Sequence, residues 1–174
     1  MPQQIPATAR RGMVLSMESA RRRRSLRGAR DDIRVLVIAG EALTRAGLRR
    51  LLDDAAGVTV VGEAPPGAAG ARLVGALQPD VAVVDAGGHE PDPADCTRAL
   101  GRQAAVLLLT DSVADDRLLA ALRAGATGLL PKDSHPDELA TAVRTLAGGG
   151  ALLPPRAVRR LIAELVETSS MTSR

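Results

Sequence analysis

Three side chains in this sequence could do chemistry together: the carboxylate of Asp85, the hydroxyl of Thr110 and the ammonium of Lys132. Each ends or closely follows a short apolar run, namely Val81–Val84, Ala104–Leu109 and Thr127–Leu130. An acid at a strand end can be a nucleophile or a metal ligand, or no more than the polar end of the strand. The three together say more, because an acid, a hydroxyl and a fixed cation on neighbouring strand ends would converge on one small pocket. His89 could in principle take a phosphate or a metal, although a lone loop histidine is usually only solvated. His135 reads as a first-turn helix residue without a role, and Cys96 as a small apolar filler.

Convergence of that kind needs a scaffold that lines strand ends up. Ile33–Ile38 is an apolar, β-branched run, the mark of a strand buried on both faces. Glu41 to Ala55 carries Leu43, Leu48, Leu51, Leu52 and Ala55 near a helical period and predicts a helix. Val58–Ala64 is the second strand, and Pro65-Pro66-Gly67 turns into a helix ending near Leu77. Val81–Val84 is the third strand, Pro93 to Gln103 a weaker helix and Ala104–Leu109 the fourth strand. Asp115 and Asp116 suit the positive end of the next helix, which Gly125 closes before the short fifth strand Thr127–Leu130. Ser134 is the expected N-cap of a helix with Pro136 and Asp137 in its first turn, running to Ala147 and ended by Gly148-Gly149-Gly150. Five strands alternating with helices predict an α/β fold, a five-stranded parallel sheet with helices on both faces. Sites of such sheets lie at the carboxyl ends of the strands, where Ala39-Gly40, Asp85, Thr110 and Lys132 fall.

Composition excludes several functions. The chain has no Phe, Tyr or Trp, so its core is built from Leu, Val, Ile and Ala, and mechanisms resting on aromatic stacking are closed to it. One cysteine forms no internal disulfide, no Cys or His spacing points to zinc, and a cytoplasmic location fits. Clean apolar runs reach only about six residues, so no membrane span is expected. The net charge of +3 hides a split. Residues 1–30 hold eight arginines against one acid, Glu18, which leaves 15 of the 23 basic residues against 19 of the 20 acids for residues 31–174. The basic balance therefore belongs to a tail that contains Arg21-Arg22-Arg23-Arg24 and is expected to be disordered.

Several segments together resemble receivers of NarL/LuxR-type response regulators. They are Ile33-Arg34-Val35-Leu36-Val37-Ile38, Ala42-Leu43, Arg45-Ala46-Gly47-Leu48, Val60-Val61-Gly62-Glu63-Ala64, Gln78-Pro79-Asp80-Val81, Leu122-Arg123-Ala124-Gly125-Ala126 and Leu130-Pro131-Lys132-Asp133. The likeness covers about residues 31–166. It implies the flavodoxin-like receiver fold, in which the acid at Asp85 accepts a phosphoryl group from a sensor kinase. The hydroxyl at Thr110 then hydrogen-bonds the phosphate and Lys132 pairs with it. The physics agrees, since a phosphoryl group brings roughly −1.5 to −2 charge, which a fixed cation and a donor stabilise.

The resembling family also carries two adjacent acids after strand one that hold magnesium. Here those positions are Ala39 and Gly40, and Glu41 lies one step too far, on the first helix turn. Magnesium binds through carboxylates, so Asp85 with the carbonyl of Gly87 should hold it weakly at most, and no cofactor is expected. Losing about 3–5 kcal/mol of metal assistance would slow phosphoryl transfer roughly 10²–10⁴-fold. Three further departures accompany this one. Gly88-His89-Glu90-Pro91 replaces a Met-Pro-Gly step, Leu129 stands where an aromatic couples phosphorylation to output, and Pro131 removes a strand donor.

Pro154-Pro155 begins a last helix, whose Val158, Leu161, Ile162, Leu165 and Val166 keep helical spacing opposite Arg156, Arg159, Arg160, Glu164 and Glu167. That stripe must pack on its own domain, a second copy or a following domain. In the resembling family the segment links the receiver to a helix-turn-helix DNA-binding domain, whose opening Met171-Thr172-Ser173-Arg174 resembles. The expected organisation is a disordered Arg-rich tail (1–30), a receiver-like domain (31–150) and a linker helix (151–174) leading to a helix-turn-helix domain that the chain lacks.

The leading expectation is a non-enzymatic, atypical receiver of a transcriptional regulator that answers to a small-molecule ligand, a protein partner or dimerisation rather than to phosphorylation. DNA would be reached only through the helix-turn-helix domain, and the resemblance implies homodimers paired through the first and fifth helices. A second reading keeps slow phosphorylation of Asp85 by a sensor kinase. A third, a nucleotide-binding flavodoxin-like enzyme, lacks a glycine-rich phosphate loop after strand one.

Overall fold

Alternating faces of five short strands organise the fold. The computed structural model describes residues 32–87, 92–112 and 116–171. In chain order these form β1 (Ile33–Ile38), α1 (Ala42–Asp53), β2 (Val58–Ala64), α2 (Ala68–Leu77), β3 (Val81–Asp85) and α3 (Pro93–Leu100). There follow β4 (Ala105–Thr110), α4 (Asp116–Arg123), β5 (Gly128–Pro131), α5 (Pro136–Ala147) and α6 (Pro155–Met171). The sheet runs β2-β1-β3-β4-β5, and every neighbouring pair is parallel. Strand order reverses between β1 and β3, which puts the switch point beside the end of β3, and the ends of β3, β4 and β5 lie side by side.

Two cores flank the sheet. Leu36, Ile38, Ala82, Val84, Val106, Leu108 and Leu129 point to one side, against Val74 of α2, Leu100 of α3 and Leu118 of α4. Their strand neighbours Val35, Val37, Val81, Val83, Leu107, Leu109 and Leu130 point to the other, against Leu52 of α1 and Leu139, Val143 and Leu146 of α5. Burial on both faces is why Val35–Ile38, Val81–Val84 and Ala105–Leu109 are unbroken apolar runs. Asp80 squares the opposite edge of the sheet. Its Oδ2 accepts from the Arg34 N–H at 2.9 Å, while its own N–H donates to the Arg34 carbonyl at 2.8 Å and its carbonyl accepts from Ala105 at 3.1 Å. Gly128 is required by close packing, because a Cβ there would stand 2.7 Å from a Leu107 methyl and 2.8 Å from a Leu146 methyl.

Several expectations need correction. The apolar stripe read along α1 is narrower than its periodicity implies, since Leu52 is fully buried while Leu43 is 87% and Leu51 42% exposed. The N-cap of α5 is His135 and not Ser134. Its Nδ1 accepts from the Asp137 N–H at 3.2 Å, and the Glu138 carboxylate accepts from the His135 N–H at 2.9 Å. His135 therefore does have a role, the reciprocal capping of a helix start. Pro131 belongs to an edge strand, where a missing donor costs least. The following residue resumes the ladder, Lys132 N–H donating to the Thr110 carbonyl at 2.9 Å.

Helix α6 turns the other way from the simple amphipathic reading. Arg160 pairs with Asp116 and Glu164 with Arg123, so part of its polar side meets α4. Ala157 is buried, whereas Val158, Ile162, Leu165 and Val166 are 38–67% exposed. Met171, expected in the next domain, ends α6. The Arg-rich tail, the loop containing His89, Asp115 and residues 172–174 lie outside the described residues.

The burial difference along α1 sets a stability test. Leu52→Ala should cost about 2–5 kcal/mol by urea denaturation, while Leu43→Ala should change stability by less than about 0.5 kcal/mol.

Candidate functional site

Strand ends β3, β4 and β5 do bring their polar residues together, though not in equal measure. Asp85 closes β3 with its side chain 14% exposed, and its Oδ1 meets Lys132 Nζ at 2.6 Å. The same oxygen accepts the Gly87 N–H at 2.9 Å. Lys132 follows β5 directly and its side chain is 31% exposed. Glycine at 87 leaves room for the site, because a Cβ there would displace the Lys132 ammonium and the Asp111 carboxylate from their present positions. Main chain thus passes within contact distance of the ion pair, and that approach delivers the backbone donor.

Thr110 sits at the right strand end but spends its hydroxyl locally. It is 2% exposed, donates to the Ser112 carbonyl at 3.0 Å and accepts from the Ser112 N–H at 3.1 Å. The structure therefore brings Asp85 and Lys132 together and turns the Thr110 hydroxyl onto its own loop.

Two residues that sequence reasoning passed over belong to the site. Asp111 brings its Oδ2 to 3.7 Å from Lys132 Nζ, with its side chain 66% exposed. An acid placed immediately after a strand-end hydroxyl was the available signal. Arg45 donates through one guanidinium nitrogen to the carbonyls of Ala39 at 2.8 Å and Gly40 at 3.0 Å. A fixed cation thus lies against the backbone of the two positions after β1. The Glu41 carboxylate accepts from Thr44 at 3.4 Å, on the first turn of α1. Gly40 has open space where a side chain would stand. Among the described residues no group of three or more His, Cys, Asp or Glu could hold a metal ion.

The charges leave their mark on Lys132. Burial alone would lower its pKa, but the hydrogen bond and charge of Asp85, with those of Asp111, outweigh it and hold the ammonium above its ordinary 10.5. Cys96 lies apart, buried on α3 beside a cavity of about 260 Å³ shared with Ile38, Ala68, Ala71, Ala99 and Leu100. Burial, then the charges of Asp95 and Asp92, push its thiol up and away from reactivity.

With this geometry in place the comparisons are decisive. Residues 35–144 match the model of the response regulator receiver domain. The chain belongs to that family. It is 31% identical over 136 residues to the transcriptional regulatory protein LiaR of Bacillus subtilis, covering 76% of this chain and 64% of that protein. It is 29% identical over 143 residues to the nitrate/nitrite response regulator protein NarL of Escherichia coli, covering 80% and 66%. The crystal structure of a LuxR-family two-component response regulator from Aurantimonas superposes with a TM-score of 0.68 at 28% identity, covering 78% of this chain and 99% of that one. This is a receiver domain of a LuxR-family two-component response regulator, with the flavodoxin-like receiver fold. The chain spans 64–66% of the length of these curated relatives. The family match favours a regulator over a nucleotide-binding enzyme. None of the described helices is long and apolar enough to cross a membrane.

The raised value of Lys132 predicts a pH dependence. A group whose folded pKa exceeds its unfolded one contributes fully below the unfolded value and loses that contribution as pH rises through the folded value. The stability difference between the native chain and Lys132→Met should therefore be flat from about pH 7 to about pH 10 and shrink above 10.5, read by urea denaturation at stepped pH.

Proposed function

We propose that this receiver switches without magnesium-dependent phosphorylation, as the non-enzymatic input domain of a cytoplasmic transcriptional regulator. The observation that carries this reading is the pair Ala39 and Gly40, which offer no carboxylate and whose carbonyls hold the Arg45 guanidinium. Magnesium wants several oxygen ligands in near-octahedral array. Of the two acids at the strand ends, Asp85 already satisfies Lys132 and the Gly87 N–H through one oxygen and Asp111 faces the same ammonium, and no third acid joins them among the described residues. The residues present do not fit the ion. Open space at Gly40 adds to the case, because packing alone does not forbid an acid there.

A small-molecule ligand, a protein partner or self-association then supplies the signal, and DNA is reached through an output domain such as the relatives' names imply. Phosphorylation of Asp85 by a sensor kinase is the alternative, favoured by the surviving Asp85–Lys132 pair. A small acyl phosphate, with mass spectrometry of the peptide carrying Asp85, separates the two. Labelling in the native chain should not respond to magnesium, whereas Ala39→Asp with Gly40→Asp should make it magnesium-dependent and at least about tenfold faster. Rapid magnesium-dependent labelling of the native chain would defeat this reading.

The exposed face of α6 supports a homodimer through Val158, Leu161, Ile162 and Leu165. Burying one such aliphatic side chain fully is worth about 1.5–3 kcal/mol, and Ile162, Leu165 and Val166 are all more than half exposed in the single chain. Sedimentation should show dimers that Ile162→Glu with Leu165→Glu converts to monomers. Dimers that survive those changes but fall apart on Leu43→Glu would move the interface to α1.

A further inference from the structure

Asp111 is the group that neither the family match nor the missing acids explain. Thr110 binds Ser112 through both its hydroxyl hydrogen and its oxygen, and this closed turn carries Asp111 out over the strand ends. The carboxylate lies over Gly87, where a Cβ would overlap it, and faces Lys132 Nζ at 3.7 Å. Lys132 has three N–H donors and stands between two carboxylates held in different ways. Asp85 is close and 14% exposed, while Asp111 is farther and 66% exposed. One acid is built in, and the other sits at the mouth.

We propose that Asp111 is a built-in anion that occupies the Lys132 side of the pocket and holds a latent oxyanion site closed. Tetrahedral oxyanions such as sulfate, phosphate or a phosphoryl group on Asp85 need the ammonium and the backbone N–H of the Gly87 turn. With Asp111 in place the three charged groups carry one net negative charge, so an arriving dianion meets repulsion at a distance too short for salt to screen. Its long, exposed contact with Lys132 makes Asp111 the displaceable partner. Asp111 acts on the Lys132 side of the pocket and the absent acids on the Ala39 side, so the two proposals fail separately. Saturable sulfate binding by the native chain would defeat this one and leave the first untouched.

Inorganic sulfate is the probe, titrated at constant ionic strength and followed by the amide resonances of Gly87 and Lys132. The native chain should show no saturable shift, and Asp111→Ala and Asp111→Asn should each bind sulfate at least about tenfold more tightly. Adding Lys132→Ala to Asp111→Asn should abolish that binding. A gain in Asp111→Ala alone would assign the exclusion to bulk and overturn the electrostatic claim. Affinity in both variants within twofold of the native chain, or a gain that survives loss of Lys132, would overturn it as well. Asp111 is mostly solvent-exposed, so neither substitution disturbs the core.

Discussion

The ion pair between Asp85 and Lys132 sets the terms for everything at the carboxyl edge of the sheet. At 2.6 Å, with the carboxylate 14% and the ammonium 31% exposed, each charge is partly withdrawn from water and needs the other. Breaking such a pair from one side leaves an uncompensated charge, which costs more than the pair contributes when intact. The scaffold is arranged to keep it whole. Parallel order places β3 one strand away from β5, across β4, glycine at position 87 lets main chain close over the pair, and the Lys132 N–H locks onto the Thr110 carbonyl. The carboxylate is thereby served by a protein cation and a backbone donor.

The two sides of the pocket differ in kind. On the Lys132 side charge is dense, with Asp85 at 2.6 Å and Asp111 at 3.7 Å from the ammonium. On the β1 side it is Arg45 that meets the backbone carbonyls of Ala39 and Gly40. A guanidinium is permanently charged and cannot exchange with solvent ions as a metal does. The helical layers around this edge are aliphatic throughout, and α6 leaves several of its apolar residues in water.

The strands were legible because burial on both faces leaves a simple trace, a β-branched run such as Ile33–Ile38 or an apolar block such as Val81–Val84. Asp85, Thr110 and Lys132 were legible for the same reason, since a polar residue at the end of such a run has one place to go. Helices were read less well. Periodicity gives the width of an apolar stripe but not which part of it meets the sheet, so Leu43 was placed with Leu52 although only the latter is buried. The same limit applies to α6, where Arg160 and Glu164 face α4 through charge pairs that spacing does not register. His135 was passed over because an imidazole is an uncommon cap, and Asp111 because its role depends on Gly87 and Lys132, distant in sequence. Thr110 ends β4 as its position in the sequence implies, but its hydroxyl bonds to Ser112 rather than reaching the other two, which spacing does not register.

Paramagnetic broadening by manganous ion tests the central claim most directly, because that ion takes magnesium sites and reports on neighbouring amides. With the charge of Asp85 satisfied within the protein, the amides of Gly87, Lys132 and Gly40 should broaden no more than those of exposed acids elsewhere. Saturable broadening centred on those three amides at low ion concentration would contradict the account.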